Sequence, residues 1–169
     1  MLMYSIENQP YLVVNEALAL YLRRVDQRGA GIAAIGQNAL DSFLADPMLI
    51  VKTIRAGIPF GLFEKLRSIL TFTDSDWASY LGLSLKSLQR YRANADHIFK
   101  PMHSEKIIAL TEVAHRGREV FGSQEKFDSW FHTPLMVFAN QKPKDFVNDS
   151  YGKEMVIDEL NRIDHGVFA

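Results

Sequence analysis

Apolar residues recur at helical spacing through most of this chain, with short polar or glycine-containing breaks between the helical stretches. Near the middle, Trp77 and Leu81 precede Gly82 at this spacing, and Leu88 and Tyr91 follow it. The spacing predicts two short amphipathic helices joined by a tight turn. This layout is that of a helix-turn-helix.

The two central helices also carry local signals for their ends. Thr73 and Asp76 have the spacing of a capping box, which predicts that the first helix begins here. Gly82 can take the left-handed backbone conformation that ends this helix, and Ser84 can cap the next one. Ala78 is small enough to let the two helices approach closely. The local signals therefore agree with the apolar spacing.

The outward face of the second helix consists of hydrogen-bond donors and cations. Its members are Ser84, Lys86, Ser87, Gln89, Arg90 and Arg92. A helix with such a face can enter the major groove of DNA and contact base edges and phosphates. Because a polar helix face is often only solvated, DNA binding is a hypothesis at this point.

The rest of the pattern predicts an all-α fold, in which only the apolar pair Val13-Val14 has the character of a strand. Helices are expected at 15–28, 32–44, 47–56 and 60–70 before the central motif, and at 104–121, 123–131 and 150–165 after it. Pro47 suits a first helical turn, and Ser104 is expected to cap the long helix that follows the central motif.

Composition breaks divide the sequence into three parts. They are an N-terminal helical region (1–56), a helix-turn-helix domain (57–118) and a small helical C-terminal domain (119–169). The N-terminal region shows no catalytic character. We expect it to mediate self-association, to buttress the next domain or simply to extend the core.

The charge distribution separates the middle of the chain from its end. The chain as a whole has a charge of −1, which argues against a protein that coats nucleic acid through bulk electrostatics. Residues 56–118 carry nine basic and six acidic residues, whereas residues 119–169 carry five and nine. We therefore expect phosphate contacts at the centre and a different partner at the C-terminal end.

Several classes of site and location are disfavoured by composition. The sequence has no cysteine, which excludes disulfides and thiolate metal sites. His97 and His103 lack a third ligand at recognisable spacing, so we predict no metal and no cofactor. There is no glycine-rich phosphate loop and no Gly-x-Ser-x-Gly motif, so we expect no enzymatic activity. The chain lacks a signal-peptide pattern and a long apolar run, and we expect a cytoplasmic protein.

The order of motifs after the central helices resembles that of a known family. It comprises Trp130-Phe131, Pro134, Asn140-Gln141-Lys142-Pro143, Gly152, Val156, Leu160, Ile163 and Gly166-Val167-Phe168. Together with the basic helix-turn-helix, this order is similar to that of the Xre/MbcA/ParS antitoxins of type II toxin-antitoxin systems, whose toxins carry a RES domain. The resemblance covers about residues 57–169.

The resemblance implies a helical, dimerising antitoxin that binds the promoter of its own operon through the helix-turn-helix. It also implies that the C-terminal domain lies against the active-site entrance of an NAD-consuming RES toxin, and that the antitoxin itself holds no catalytic residue. Carried onto this sequence, the toxin-binding residues are Gly152, Glu154, Asp158, Arg162, His165, Gly166, Val167, Phe168 and Ala169.

The last residues suggest how such neutralisation would work. Val167 and Phe168 follow Gly166 as an apolar pair, and an aromatic anchor that enters a pocket is a typical hot spot. Two alternatives stay open. Phe168 could instead fold back onto Val156 or Leu160, and the whole chain could be a plain helix-turn-helix transcriptional regulator without a toxin partner.

Overall fold

The computed structural model describes residues 9–25, 38–94 and 96–166. In these ranges, the segments with helical periodicity form helices joined by short turns. Within these ranges there is no strand, and extended pairing is limited to two isolated bridges, Pro59 with Ile98 and Leu135 with Gln141. The predicted all-α fold class is confirmed. The chain divides into two compact units, Met1–Ile108 and Ala109–Ala169.

The helices follow one another with short connections. They are α1 (Gln9–Val25), α2 (Ala39–Leu44), α3 (Pro47–Ala56), α4 (Phe60–Leu66), α5 (Asp74–Leu81), α6 (Leu85–Arg92), α7 (Pro101–Phe121), α8 (Gln124–Phe131) and α9 (Ser150–Asp164). Short 3-10 turns lie at Arg67–Ile69, Met136–Phe138 and Pro143–Asp145. Helix α3 begins at the predicted proline, because the Asp46 side chain accepts hydrogen bonds from the next two free backbone N–H groups.

Some predicted boundaries were wrong. Helix α1 begins at Gln9 rather than residue 15, so Val13 and Val14 are helical. Ser104 does not cap α7, because that helix begins three residues earlier at Pro101. The buried Ser104 hydroxyl instead accepts from the Ile58 N–H at 2.9 Å and donates to the Phe99 carbonyl at 3.2 Å. The helix predicted at 60–70 changes to a 3-10 turn after Leu66. The predicted end of the first helix and start of the second fall outside the described residues.

The first unit is built around an aromatic cluster. The Phe63 ring lies edge-on to Trp77 and to Phe99, with centroid distances of 5.0 Å in both pairs. Helix α1 contributes its own apolar face to this unit and contacts α4. The Tyr21 hydroxyl donates to the Gly57 carbonyl at 2.7 Å, and burial raises the pKa of Tyr21 to about 12. The described part of the N-terminal region thus extends the core that supports α5 and α6. The division of the chain at residue 56 stays a prediction.

The second unit has a separate aromatic core. Phe127 stacks on Phe131 with a centroid distance of 5.0 Å, and Phe138 lies 5.0 Å from Phe146. Trp130 is partly buried and contacts the rings of Phe121, Phe127 and Phe138. Helix α9 faces this core with Val156 and Leu160, both fully buried. This arrangement leaves the opposite face of α9 exposed.

Candidate functional site

The turn between α5 and α6 matches the sequence prediction in its local contacts. The Thr73 hydroxyl accepts from the Asp76 N–H at 3.1 Å, and the Asp76 carboxylate accepts from the Thr73 N–H at 2.9 Å, which completes the capping box. Gly82 has φ +70°, and the Ser84 hydroxyl accepts from the Ser87 N–H at 3.0 Å. The helix-turn-helix is therefore confirmed.

The outer face of α6 presents the predicted donors and cations. Lys86, Gln89 and Arg90 are exposed, while Ser87 is partly buried and Leu88 is buried in the core. No acidic residue lies within α6. Among the described residues, Lys86 and Arg90 form no ion pair. This face can therefore offer uncompensated positive charge to phosphates and donors to base edges.

Arg92 differs from the other predicted DNA contacts. Its guanidinium donates to both carboxylate oxygens of Asp74, at 2.7 and 2.9 Å, and Asp74 also pairs with Arg67 at 2.7 Å. Hydrogen bonds from Arg92 and then Arg67 hold the pKa of Asp74 far below its usual range. The hydrogen bond to Asp74 likewise raises the pKa of Arg92. These pairs fasten the end of α6 to the start of α5, and a DNA contact by Arg92 stays a prediction.

The sequence reasoning missed one residue of this face. Leu85, the first residue of α6, is 42% exposed. The first residues of a recognition helix are those that reach base edges, and an apolar side chain there can contact a thymine methyl group. Because Leu85 is three residues before buried Leu88, its spacing indicated a core position. The helix end leaves it only partly covered.

Helix α9 is held firmly within the second unit. The Asp149 side chain caps it by accepting from the Gly152 N–H at 2.9 Å. Lys153 pairs with Glu112. Arg116 donates to the Asn161 side chain at 2.9 Å and to Asp164 at 2.7 Å, and the hydrogen bond to Asp164 raises the pKa of Arg116. These contacts fix both ends of the helix that carries four of the nine predicted toxin contacts.

Five of the nine predicted toxin-binding residues are fully or partly exposed, on α9 or directly after it. Glu154, Asp158, His165 and Gly166 are exposed, and Arg162 is partly exposed and paired with Glu159. Gly152, in contrast, is buried, and a Cβ there would lie 1.9 Å from the Phe146 carbonyl oxygen. Close packing against Phe146 therefore explains why a glycine occupies this position, while its contact with a toxin stays a prediction. Residues 167–169, including the proposed fold-back of Phe168, lie outside the described residues.

Exposed apolar residues of the second unit were also missed. Tyr151 is 81% exposed, Met155 is 47% exposed and Met136 is 87% exposed. Tyr151 and Met155 stand four residues apart, and each directly precedes a buried position, Gly152 or Val156. Apolar residues at helical spacing but outside the core register were the signal that could have identified this pair.

Neither the described histidines nor the other possible metal ligands form a further site. Over residues 9–25, 38–94 and 96–166, no group of three His, Cys, Asp or Glu side chains could hold a metal ion. His97 stacks on Tyr91 with ring centroids 3.6 Å apart, and burial lowers its pKa. In the part of the chain that the structure describes, no helix is long and apolar enough to cross a membrane.

Two family models match consecutive parts of the chain. Residues 50–111 match the antitoxin Xre-like helix-turn-helix domain. Residues 116–166 match the antitoxin Xre/MbcA/ParS C-terminal toxin-binding domain. The first match contains α5 and α6, and the second contains α8 and α9.

Curated relatives carry the same assignment. The chain is 25% identical over 122 residues to "Antitoxin Xre" of Yersinia enterocolitica serotype O:8 / biotype 1B, covering 72% of this chain and 82% of the relative. It is 23% identical over 117 residues to "Antitoxin Xre" of Photorhabdus laumondii subsp. laumondii, covering 69% of this chain and 78% of the relative.

A solved structure shares the fold. It is a chain from the crystal structure of the M. tuberculosis MbcT-MbcA toxin-antitoxin complex, with a TM-score of 0.51 and 21% identity. The match covers 63% of this chain and 94% of that chain.

Proposed function

We propose that this chain, which belongs to the Xre/MbcA/ParS antitoxins, neutralises an NAD-consuming RES toxin by covering its active site and represses its own operon. The chain is an antitoxin rather than an enzyme, with a DNA-binding helix-turn-helix domain and a toxin-binding domain. The proposal adds the class of toxin, the mode of neutralisation and autoregulation, all of which follow from the family resemblance.

The observation that carries the proposal is the contrast between two helix faces on one chain. The α6 face has exposed Lys86 and Arg90 and no acid, whereas α9 exposes Glu154 and Asp158. A cleft that binds NAD must accommodate two phosphates, so we expect a basic rim around it. Acidic α9 is complementary to such a rim, and cationic α6 is complementary to DNA.

The proposed plug is formed by residues 167–169. They follow Gly166 at the end of α9, which Arg116 fastens through Asn161 and Asp164. A fixed helix end restricts where the next residues can go, and Phe168 would supply an aromatic anchor for a pocket. Docking of α9 and insertion of the plug are then separate contributions to neutralisation.

Repression would use two copies of the helix-turn-helix. A single short recognition helix with two uncompensated cations binds DNA weakly at cellular salt, and dimers gain affinity by contacting two half-sites. We therefore include a homodimer in the proposal, acting in the cytoplasm where its operon is transcribed.

Deleting residues 167–169 tests the neutralisation mechanism. The deletion should abolish relief of growth arrest when the antitoxin is co-expressed with the toxin encoded by the neighbouring reading frame. DNA binding, measured by mobility shift on the upstream operon sequence, should stay unchanged because α6 lies in the other unit. Full neutralisation by the truncated chain would reject the plug. If the intact chain neither relieves arrest nor co-purifies with the neighbouring gene product, the toxin-binding function itself fails and a plain regulator becomes the better description.

A further inference from the structure

We infer that Tyr151 and Met155 form an apolar stripe on α9 that binds an apolar patch beside the active-site entrance of the toxin, separately from residues 167–169. The inference rests on the proposed function, since it requires that the second unit bind a toxin. It differs from that proposal by assigning affinity to a helix face and leaving occlusion to the plug.

The stripe consists of two adjacent side chains outside the core register. Residues four apart lie on one helix face, so Tyr151 and Met155 are neighbours on the surface of α9. They are 81% and 47% exposed, whereas Val156 and Leu160 are fully buried. An apolar pair that the fold does not use is typical of a contact with another molecule.

The residue types suit a protein interface. Tyrosine and methionine are both enriched at interfaces, and tyrosine is a frequent hot spot because it buries a large area while losing little rotamer entropy. The side chain of methionine adapts to an irregular partner surface. The pair therefore has the composition of an interface centre rather than of a solvated helix face.

The helix that carries the stripe is ordered before it binds. The Asp149 cap, the Lys153–Glu112 ion pair and the Arg116–Asn161 hydrogen bond fasten α9 along its length. A partner then gains the contact without having to order the backbone. This rigidity also keeps the stripe at a fixed distance along α9 from Gly166, where the proposed plug begins.

The surroundings of the stripe favour a toxin over a second copy of this chain. Exposed Glu154 and Asp158 border the pair, so the complementary surface is apolar at its centre and basic at its rim. A basic rim is what we expect beside an NAD site. A two-fold contact between copies would instead bring the same acidic patch against itself. The segment also lies inside residues 116–166, which match a toxin-binding domain.

The test compares two double variants. Tyr151→Gln with Met155→Gln removes the stripe while keeping good helix formers. Leu12→Gln with Leu20→Gln is the matched control, because these α1 residues are 48% and 60% exposed and lie in the first unit. Each variant is purified, and its dissociation constant for the toxin encoded by the neighbouring reading frame is measured by biolayer interferometry. Circular dichroism melting and light scattering report folding and oligomeric state.

The stripe variant should bind the toxin about 30-fold more weakly or worse, as expected of a hot-spot pair, with unchanged melting and operator binding. The control should bind as the unaltered chain does. A chain lacking residues 167–169 should still bind toxin through the stripe. Unchanged affinity of the stripe variant, in a system where the unaltered chain binds, overturns the inference alone. A stripe variant that loses self-association but keeps toxin affinity also overturns it. No binding by the unaltered chain overturns the proposed function as well.

Discussion

Helices α6 and α9 each present a surface for binding, but different kinds of contact hold the two helices in place. Helix α6 is eight residues long and takes its start from the cap at Ser84 and its position from the turn at Gly82. Helix α9 is fifteen residues long and is held by Asp149 at one end and by Arg116 along its side. The start and the turn of the first surface are defined by local sequence, whereas the second also depends on contacts between residues 45 and 48 positions apart.

The two surfaces also differ in what they can recognise. The α6 face offers cations and donors, which suit a repeating phosphate backbone, so its binding should weaken steeply with salt. The α9 face combines acids with Tyr151 and Met155, which suits one particular protein surface. Apolar contacts are less sensitive to salt than ion pairs. The comparison therefore assigns DNA to one unit and a specific protein to the other.

Changing Gly152 to alanine should disrupt the second surface. Of the predicted effects, this one is expected to be the largest. The new Cβ would lie 1.9 Å from the Phe146 carbonyl oxygen, and backbone cannot move aside as a side-chain tip can. We expect a loss of about 3 kcal/mol in the stability of the second unit, as for severe overpacking, together with loss of toxin binding. The measurement is urea denaturation followed by circular dichroism.

Gly61→Ala is the matched control for that prediction. Gly61 lies in α4 of the first unit, and a Cβ there meets nothing within 4 Å. Alanine should stabilise this helix by about 0.5–1 kcal/mol. Equal stability changes for the two variants would mean that the close approach of Gly152 to Phe146 is absent in solution.

Comparing Arg90 with Arg92 tests which arginine of the first surface contacts DNA. Arg90 is exposed without an ion pair among the described residues, whereas Arg92 is held by Asp74 at 2.7 Å. Arg90→Ala should weaken operator binding by about 1–3 kcal/mol, which is roughly fivefold to 150-fold, in a mobility-shift titration. Arg92→Ala should weaken it less and should cost at most about 1 kcal/mol of stability, because the pair is partly exposed.

Toxin neutralisation is the readout that separates a DNA contact from a structural role for Arg90. Both arginine variants should neutralise as the unaltered chain does, since neither residue lies in the second unit. Loss of operator binding and neutralisation together in Arg90→Ala would show that Arg90 supports the fold. A larger DNA effect from Arg92→Ala would reverse the assignment.

The difference between the units explains what the sequence could predict. Every end signal around the helix-turn-helix acts within three or four residues, so Thr73, Gly82 and Ser84 could be assigned from sequence alone. The starts of α3 and α8 were predictable for the same reason. Ser104 was misassigned because its hydroxyl bonds Ile58, 46 residues away, and no local pattern reports such a contact.

The candidate site residues likewise divide into those that local sequence could predict and those that depend on distant contacts. The polar face of α6 could be predicted from helical periodicity, but the pairing of Arg92 with Asp74 crosses 18 residues and was missed. On α9, the family resemblance identified Glu154 and Asp158. The exposure of Tyr151 and Met155 depends on which turn of the helix meets the aromatic core. Apolar residues at helical spacing were taken to be buried, so exposed apolar residues such as Tyr151 and Met155 were not identified.

A pH titration gives the smallest expected effect and concerns the first unit. Burial, with the nearby charges of His103 and Arg90, lowers the pKa of His97 below its ordinary value of 6.5. Its buried Nε2 has no hydrogen-bond partner among the described residues, so protonation would place an unpaired charge there. Between the folded pKa and 6.5 the unfolded chain binds more protons, so this stability is present above about pH 6.5 and decreases below it.

His97→Phe should reduce this pH dependence while keeping the stack on Tyr91, whose ring lies 3.6 Å away. The melting temperature of the unaltered protein should fall more between pH 7.5 and 5.5 than that of the variant. A residual decrease is expected from His103, whose pKa burial also lowers. Because both histidines lie in the first unit, the second unit should not share the difference. Parallel pH profiles for the two proteins would show that His97 is accessible to protons in the folded state, and the stack would then contribute nothing to the pH sensitivity of the unit that carries α6.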